Sequence, residues 1–205
     1  MKLYDTQTAP NPRIVRIFLA EKGIDIPRVQ VDLASGEHKT PEFLAKNPSG
    51  TVPVLELDDG SYLSETVAIC LYFEMLYPEP ALFGQANEAR ERAFVEMWRR
   101  RIEFEVVLPL RNAVRNTHPR FVSLVKKQFP EYGAFCRDLA LERLNWLDGI
   151  LQNKTFIAGE TYTMADITLL PWLDFSRVIH LEPFVGRDHL KRWYDVVSSR
   201  PSAKA

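Results

Sequence analysis

The residues best placed to do chemistry lie in three short stretches of the first third of the chain. In chain order these are residues 8–13 (TAPNPR), 51–55 (TVPVL) and 64–66 (SET). Each stretch combines hydroxyl, amide or carboxylate groups with a proline or with the predicted start of a helix. At helix ends, backbone groups lack partners within their own element. The three stretches could therefore bind a small polar molecule and activate one of its groups.

The first stretch begins a predicted helix, with Asn11 suited to the N-cap and Pro12 to the first helical position. A helix N-terminus lowers the pKa of a nearby thiol, but residues 8–13 contain no cysteine. Thiol chemistry at this helix would need a thiol that a bound ligand supplies. The Asn11 amide and the Thr8 hydroxyl could donate hydrogen bonds to its thiolate. A purely capping role for Asn11 stays open.

The second stretch begins a predicted strand at Val52 and Pro53. A trans bond on an edge strand is the simplest interpretation, because only about one X-Pro bond in twenty is cis. A cis bond would instead turn the Val52 amide and carbonyl outward, where a peptide could pair with them as an added strand. Of these two interpretations, the residues alone favour the trans bond.

The third stretch stands at the predicted start of a helix, which Ser64 or Thr66 could simply cap. The same geometry would also suit a bound carboxylate, because helix N-termini attract anions, and Glu65 could bind an ammonium group beside it. The γ-glutamyl end of the tripeptide glutathione carries both groups.

Hydrophobic periodicity places these stretches at the ends of strands and helices. The predicted elements are strand 2–5, a helix from Pro12 to Gly23, strand 29–33, a short helix 41–46, strands 52–57 and 62–63, and a helix 65–77. A right-handed crossover makes the first two strands parallel, and residues 58–60 join the last two as a hairpin. The order β-α-β followed by β-β-α is that of a thioredoxin-like unit.

The remainder of the chain favours helix. Residues 81–87 are predicted to link a domain of residues 1–80 to a helical domain of residues 88–205. The predicted helices are 88–115, with a kink at Pro109, 119–129, 132–151, 164–179 and 189–199. We therefore expect an all-α bundle after the α/β domain.

The composition is that of an ordinary globular protein, with 46% apolar residues, 26% charged residues, a net charge of −1 and a pI near 6.4. These values give no reason to expect a nucleic acid or an anionic membrane as partner. The longest apolar run, residues 67–73, is too short to cross a membrane, and no apolar signal segment follows Met1. Cys70 and Cys136 lie among apolar residues, which predicts buried reduced thiols in a cytoplasmic protein.

Four segments of the chain resemble the cytosolic glutathione transferase family of the bacterial type, with features of its phi, theta and nu classes. The segments are residues 36–48, 51–55, 65–66 and 156–167. The resemblance implies a thioredoxin-like α/β domain followed by an all-α domain, usually in a homodimer. It implies glutathione as co-substrate and no metal. It also implies that Thr163 and Asp166 form a structural capping box.

The resemblance also assigns the glutathione-binding residues. It implies that Pro53 is cis and that Val52 pairs with the cysteinyl backbone of glutathione. Glu65 and Thr66 would hold the γ-glutamyl group, with threonine in place of the family's usual serine. The positions that match those reaching the glycyl carboxylate in phi-class proteins are His38 and Lys39.

The resemblance leaves two main candidates for the group that stabilises the thiolate. Thr8 matches the hydroxyl that serine-type classes place just before the first helix. Asn11 matches the asparagine of the Thr-Pro-Asn stretch of nu-class enzymes, although Ala9 stands where their threonine does. Tyr4 is a weaker candidate, because a strand tyrosine more often belongs to the core.

The second substrate of such an enzyme would lie against the first helix of the helical domain. The candidate lining residues are Trp98, Arg101, Phe104 and Arg111. Base rates of burial favour helix packing or an ordinary surface position for each of them.

The leading prediction is a glutathione S-transferase, which stabilises the glutathione thiolate and directs it at an electrophilic small molecule. Glutathione-dependent disulfide reduction, a nu-class-like activity, is the alternative on the same scaffold. A non-catalytic binding or regulatory module is the alternative of another class, and the presence of the site residues argues against it.

Overall fold

A four-stranded mixed sheet lies at the centre of the first part of the chain. The computed structural model describes residues 1–125 and 127–205 and divides into two units. The first unit comprises Met1–Ala81 with Pro201–Ala205, and the second comprises Leu82–Arg200. The strands are Lys2–Asp5 (β1), Arg28–Gln30 (β2), Val54–Glu56 (β3) and Tyr62–Ser64 (β4).

The order and direction of the strands bring three chain segments to one edge of the sheet. The order is β2-β1-β3-β4, with β1 parallel to β2 and antiparallel to β3, and β3 antiparallel to β4. The parallel pair confirms the predicted crossover, and the last two strands form the predicted hairpin. Tyr4, Val54 and Ser64 lie opposite one another across three strands. The end of β1, the start of β3 and the end of β4 therefore lie side by side.

Three α-helices belong to the first unit: Pro10–Glu21 (α1), Pro41–Leu44 (α2) and Thr66–Leu76 (α3). A single 3-10 turn, Glu37–Lys39, precedes α2. The face of α1 predicted to be apolar is buried, with Phe18 fully enclosed, and α1 packs against α3, which buries Phe73. Fully burying such a side chain contributes about 1.5–3 kcal/mol. This apolar layer holds the starts of α1 and α3 in place.

Helix α1 begins two residues earlier than the sequence pattern predicts. Ala9 is its N-cap, in an extended conformation and without a side-chain cap, so the prediction that Asn11 caps the helix is wrong. Pro10 takes the first helical position instead of Pro12. Either proline is tolerated there, because the N–H groups of the first turn have no partner within the helix. Asn11 therefore lies inside the first turn.

The last residues of the chain return to the first unit and contact α1. Arg13 Nη2 donates to the carbonyl oxygen of Ala203 at 2.8 Å, and the Ser202 hydroxyl donates to the carboxylate of Glu21. The residues joined by the first of these contacts are 190 positions apart. Local sequence patterns carry no signal for a contact of this kind.

The second unit is built from helices, as predicted. Its α-helices are Ala89–Arg101 (α4), Leu108–Thr117 (α5), Pro130–Leu151 (α6), Met164–Phe175 (α7) and Asp188–Ser198 (α8). Helices α5 and α6 pack along each other, α4 packs on α7, and α8 packs on α6 and α7. A 3-10 segment, Ser176–Ile179, extends α7.

The α-helix predicted over residues 119–129 is wrong. A 3-10 helix, Pro119–Leu124, occupies the start of this range, and residue 126 lies outside the described residues. Phe129 is not helical, with φ −122° and ψ 88°. The residue before a proline is disfavoured in the α conformation, and Phe129 precedes Pro130.

A π-helical segment, Ile102–Val107, connects α4 to α5. The N–H of Leu108 bonds the carbonyl of Glu103, five residues earlier. Pro109 has no N–H, and in a regular α-helix its ring would clash with the carbonyl four residues before it. The wider π turn accommodates the proline. The disturbance predicted at Pro109 thus takes the form of a π-helix directly before it.

The predicted capping box at the start of α7 is present. The Thr163 hydroxyl accepts from the Ala165 N–H, and Asp166 Oδ2 accepts from the Thr163 N–H at 2.9 Å. Asp166 Oδ1 also accepts from the Ile157 N–H at 3.0 Å and from Trp193 Nε1 at 2.8 Å. Asp166 and Trp193 are fully buried. This carboxylate therefore ties a loop, α7 and α8 together.

Both cysteines of the chain are buried, as predicted. Cys70 and Cys136 are not joined by a disulfide bond, and Trp172 is also buried. Across residues 1–125 and 127–205, no helix combines the length and the apolar character that crossing a membrane requires.

Candidate active site

The three stretches singled out by their residue types meet at one edge of the sheet. β1 ends at Asp5 and leads into the loop before α1. β3 begins directly after Pro53, and β4 ends at Ser64, directly before Glu65. The strand register places these three points side by side. The sheet therefore brings these three stretches to one edge.

The loop of residues 6–9 presents Thr8 at this edge. Thr6 is buried, whereas Gln7 and Thr8 form an exposed turn. Thr8 lies in the turn just before the N-terminus of α1. Its side chain is exposed there.

The first turn of α1 offers few hydrogen-bond donors. The first four N–H groups of a helix lack intrahelical partners, and in α1 they belong to Ala9 and the three residues after it. Pro10 and Pro12 carry no N–H. Only the N–H groups of Ala9 and Asn11 remain to bond a negative charge. The Asn11 side-chain amide is therefore important as an additional donor.

Tyr4 packs in the core and bonds a residue of the neighbouring strand β3. Its hydroxyl donates to Glu56 Oε2 at 2.8 Å, and its ring packs edge-on against Phe43. Burial, and then the Glu56 carboxylate, raises the pKa of Tyr4. A tyrosine that activates a thiol must donate its O–H to sulfur, and this one donates to a carboxylate. The structure thus supports the core interpretation of Tyr4.

The Val52–Pro53 peptide bond is cis. The resemblance implies this geometry, and the trans bond that the residues alone favour is wrong. The ladder of β3 begins at Val54, so Val52 stands outside it. The Val52 side chain is buried beside Phe43. This burial anchors Val52 and leaves its backbone out of the sheet.

Asn47 fixes the loop before Val52. It belongs to the segment of residues 36–48 that carries the family resemblance, but the sequence pattern assigns it no role in a site. It is 2% exposed. Its Nδ2 donates to the carbonyl of Thr51 at 2.8 Å, and its Oδ1 accepts from the Ser49 N–H at 3.1 Å. The signal that could have identified it is the Asn-Pro-Ser-Gly turn, because Asn side chains bond the backbone two residues on.

Lys39 and His38 are held against the same loop. Lys39 Nζ donates to the Gly50 carbonyl at 3.0 Å. Gly50 has φ +56°, and a Cβ there would lie 2.8 Å from Lys39 Nζ and from the His38 carbonyl. Only glycine fits this approach. The loop and the 3-10 turn that carries His38 are therefore packed closely and joined by a hydrogen bond.

The His38 side chain is almost fully enclosed, at 5% exposure. Among the described residues, its Nδ1 has no hydrogen-bond partner. Burial, and then the charge of Lys39, lowers the pKa of His38. The ring is therefore neutral at pH 7, and its Nδ1 has no partner among the described residues that would prevent it from bonding a ligand.

Glu65 stands at the start of α3 in a strained conformation. Its φ is +72° with ψ 119°, which non-glycine residues rarely adopt. It is the N-cap of α3, but its side chain makes no capping bond and is exposed. Thr66 is the first helical residue and is half-buried. The exposed carboxylate and the start of the helix point to a ligand site more than to a cap.

The candidate acceptor residues of the second unit do not form one group. Trp98 is 5% exposed and stacks on Trp146, with ring centroids 5.9 Å apart. Arg101 and Lys154 both lie over the Trp98 ring. Arg101 Cζ is 5.0 Å from the ring centroid and Lys154 Nζ is 4.1 Å from it. Burial, and then the charge of Arg101, lowers the pKa of Lys154. Trp98 and Arg101 thus belong to a packed cluster with little surface for a ligand.

Phe104 and Arg111 lie outside this cluster around Trp98, and Phe104 is exposed. Phe104 lies in the π-helical segment, is 48% exposed and carries the Arg100 guanidinium 4.1 Å above its ring. Arg111 is half-buried, and its Nε is enclosed without a partner in the part of the chain that the structure describes. Arg115, one turn later, has its pKa lowered by burial and then by the charge of Arg111. These two arginines suit an anionic group.

The donor groups of the site suit an organic ligand. Within residues 1–125 and 127–205, no group of His, Cys, Asp and Glu side chains is arranged to hold a metal. What the sheet edge offers is a carboxylate, hydroxyls, an amide and a helix start. This set is typical of a site for a small zwitterionic molecule.

Two domain families match the chain. The family described as "Glutathione S-transferase, N-terminal domain" matches residues 8–76, and "Glutathione S-transferase, C-terminal domain" matches residues 117–201. Their order agrees with the α/β unit followed by the helical unit.

Individual relatives match over the full length of the chain. Glutathione S-transferase 2 of Saccharomyces cerevisiae is 39% identical, covering 100% of this chain and 88% of that protein. Glutathione S-transferase F12 of Arabidopsis thaliana is 30% identical, covering 100% of this chain and 95% of that protein. The crystal structure of Gtt2 from Saccharomyces cerevisiae superposes with a TM-score of 0.93 at 38% identity, covering 100% of this chain and 99% of that chain. The predicted fold class is thereby confirmed.

Proposed function

The chain belongs to the glutathione S-transferase family, and on that premise we propose that it activates the glutathione thiol for attack on an electrophilic small molecule. Glutathione is the co-substrate of this family. The observation that carries the proposal is the start of α3, where strained Glu65 opens the helix without capping it. That start lies beside the free Val52 backbone and the polar first turn of α1.

The start of α3 is proposed to hold the γ-glutamyl group. Its α-carboxylate would meet the first N–H groups of the helix and the Thr66 hydroxyl, where the helix dipole favours negative charge. The exposed Glu65 carboxylate would bind the α-ammonium group. Both charges of the zwitterion are then matched within two adjacent residues, and the strain at Glu65 is what aims its side chain away from the cap.

Val52 is proposed to hold the cysteinyl residue of glutathione. Its backbone lies outside the β3 ladder, so its N–H and C=O can pair with the ligand as a short added strand. The buried Val52 side chain and the loop held by Asn47 keep that backbone still. The ligand is thus placed in register before its thiol is activated.

His38 and Lys39 are proposed to meet the glycyl carboxylate. The Lys39 ammonium bonds only backbone carbonyls among the described residues, so its charge is not neutralised. The buried His38 nitrogen without a partner supplies a second donor in its neutral form. Asn47 and Gly50 act through these residues by fixing the loop.

Asn11 and Thr8 are proposed to stabilise the thiolate. A cysteine-type thiol titrates near 8.5, so lowering its pKa by roughly two units requires about 2.7 kcal/mol. One or two charge-assisted hydrogen bonds together with the α1 dipole can supply this. The thiol proton leaves to solvent, the sulfur attacks the electrophilic carbon, and a leaving group such as halide departs with the bonding electrons.

The acceptor is proposed to contact Phe104 and Arg111 of the helical unit, rather than the packed Trp98 and Arg101. The homodimer implied by the resemblance and the cytoplasmic location stay predictions.

Disulfide reduction is the second candidate activity. It is favoured by the absence of any cysteine in residues 1–69 and by the place of Asn11 in the first turn of α1.

One experiment tests these activities together. The purified protein is titrated with glutathione by calorimetry and then assayed with an aryl halide and with hydroxyethyl disulfide in parallel. We expect saturable glutathione binding and conjugation of the aryl halide. Reduction of the disulfide without conjugation would favour the second activity, and binding without either reaction would favour a non-catalytic module. Failure to retain glutathione would refute both enzymatic proposals.

A further inference from the structure

A buried ion pair lies directly behind the loop of residues 6–9. Arg16 Nη1 is 2.6 Å from Asp5 Oδ1 and donates to the Thr6 carbonyl at 3.2 Å. The side chains are 3% and 0% exposed. Asp5 ends β1, and Arg16 lies in the second turn of α1. The pair therefore joins the two elements that the loop connects.

The hydrogen bonds of this pair are incomplete. Within the described part of the chain, Asp5 Oδ2 and Arg16 Nε are buried without any partner. Burial lowers the pKa of Arg16 despite the adjacent Asp5 carboxylate. A buried pair of this kind is weak as a source of stability, and apolar residues of similar volume often serve as well or better. Its presence calls for a role other than stabilising the fold.

The pair fixes the beginning of the loop, at Asp5 and Thr6. The Asp5 carbonyl accepts from the Val31 N–H at 2.8 Å, which locks the end of β1 into the sheet. The hydrogen bond from Arg16 to the Thr6 carbonyl also fixes the backbone of the next residue, Thr6. Only Gln7 then separates the constrained Thr6 from Thr8.

We propose that Asp5 and Arg16 are positioning residues for thiol activation: they hold the loop so that Thr8 and the first turn of α1 face the glutathione sulfur. This inference rests on the proposed function. Neither residue touches the ligand, and both act through the Thr6 carbonyl and the start of α1. The expected signature is a changed thiol pKa with little change in glutathione affinity, because the γ-glutamyl and glycyl groups are held elsewhere.

The decisive variant is the double replacement Asp5→Val/Arg16→Met. It removes both charges together and leaves no unpaired buried ion, so folding should be preserved. We expect a melting temperature at or above that of the wild type and a glutathione Kd within about threefold. We expect the pKa of the bound thiol to rise by about one unit, with kcat lowered about tenfold below that pKa.

A conservative replacement covers the case in which the double variant does not fold. Arg16→Lys keeps a positive charge beside Asp5, but a compact ammonium on a flexible stem replaces the rigid, planar guanidinium whose Nη1 bonds both Asp5 and the Thr6 carbonyl. We expect the thiol pKa to rise in this variant as well, by less than in the double variant. The matched control is Lys22→Met/Glu74→Leu, which removes another buried ion pair, 2.5 Å long, at the far end of α1. It should leave the thiol pKa unchanged.

The readouts are thiolate ultraviolet absorbance of bound glutathione against pH, kcat and KM measured separately, and thermal unfolding. The double variant and Arg16→Lys could change stability and leave the thiol pKa and kcat as in the wild type. The pair would then contribute only to the stability of the fold, and the inference would be overturned. If the wild type itself binds glutathione without lowering its thiol pKa, the proposed function fails, and the inference with it.

Discussion

At the residue scale, the first turn of α1 determines which groups can meet a thiolate. Two prolines remove two of the four N–H groups that a helix start normally offers. The helix dipole remains, but backbone donors are scarce. Side-chain donors must make up the difference, and the proposed donors Thr8 and Asn11 are not buried.

Replacing Asn11 or Thr8 by alanine should raise the pKa of bound glutathione. Each lost charge-assisted hydrogen bond is expected to raise the thiol pKa by about one unit, or about 1.4 kcal/mol. The measurement is a pH titration of thiolate absorbance with saturating glutathione. Gln7→Ala, in the same exposed turn, is the matched control and should leave the titration unchanged. If neither variant shifts the titration, these residues are not the stabilising groups.

Replacing Glu65 by glycine should move stability and binding in opposite directions. Glycine removes the strain of a positive φ, about 1–3 kcal/mol, and loses about 0.5–1 kcal/mol through the unfolded chain. We expect unfolding in urea to show a net gain of roughly 1 kcal/mol. The loss of the carboxylate should weaken glutathione binding at least tenfold, or about 1.4 kcal/mol.

Glu65→Gln separates the two effects. It keeps the strained backbone and removes only the charge, so it should weaken binding without a gain in stability. A Glu65→Gly variant with unchanged glutathione affinity would show that this carboxylate does not bind the ligand.

His38 should make the fold sensitive to mild acid. Burial lowers the pKa of His38 below its usual 6.5 in the folded protein, so the unfolded chain binds a proton more readily. The free energy of unfolding is therefore full above about pH 6.5 and falls as the pH drops from there towards the folded pKa. Urea unfolding between pH 7.5 and pH 5.5 measures this loss. His38→Gln should flatten that part of the profile, and an unchanged slope would contradict the assignment.

At the element scale, buried polar groups join segments that apolar packing alone would leave adjustable. Asp166 is the clearest case, because one carboxylate accepts from a loop N–H, from the N-cap of α7 and from a tryptophan of α8. Three elements of the second unit thereby share one acceptor. The orientation of α7 and α8 depends on it.

Replacing Asp166 by alanine should destabilise the protein strongly. The N–H groups of Ile157 and Thr163 and the Trp193 ring would be left buried without an acceptor, at about 1–3 kcal/mol each. We expect a loss of about 3–5 kcal/mol in urea unfolding. The control is Asp195→Ala, which removes an exposed ion pair with Lys191 and should change the free energy of unfolding by less than about 1 kcal/mol. Equal effects in both variants would contradict this role.

Elements with a clear local period could be predicted from the sequence, and those set by distant contacts could not. The sheet strands, α1, α3 and the capping box of α7 follow from alternation, amphipathic spacing and turn residues. The exact start of α1 was missed because two prolines suit the same position. The cis bond at Pro53 entered only through the resemblance, since the residues alone favour trans. The Asp5–Arg16 pair and the roles of Asn47 and Gly50 depend on tertiary packing.

At the scale of the whole molecule, the chain leaves the first unit at Ala81 and returns to it at Pro201. The last five residues contact α1 near both of its ends, through Arg13 and Glu21. The helix whose first turn is proposed to stabilise the thiolate is thus supported by the opposite terminus of the chain. The activity of the first unit should depend on a segment that no N-terminal fragment contains.

Deleting residues 201–205 should loosen α1 selectively. The Arg13 guanidinium loses its bond to the Ala203 carbonyl, a charged hydrogen bond that contributes about 1.5–3 kcal/mol, and Glu21 loses the Ser202 hydroxyl. We expect the free energy of unfolding to fall by about 2 kcal/mol, with faster amide hydrogen exchange in α1 and unchanged exchange in α6.

The control is Lys204→Ala, a substitution of an exposed residue within the same tail. It should leave the free energy of unfolding and the exchange in α1 unaffected. Because the start of α1 would then be less firmly held, bound glutathione should also show a higher thiol pKa in the truncated protein. Unchanged exchange in α1 would mean that the tail rests on the first unit without supporting it.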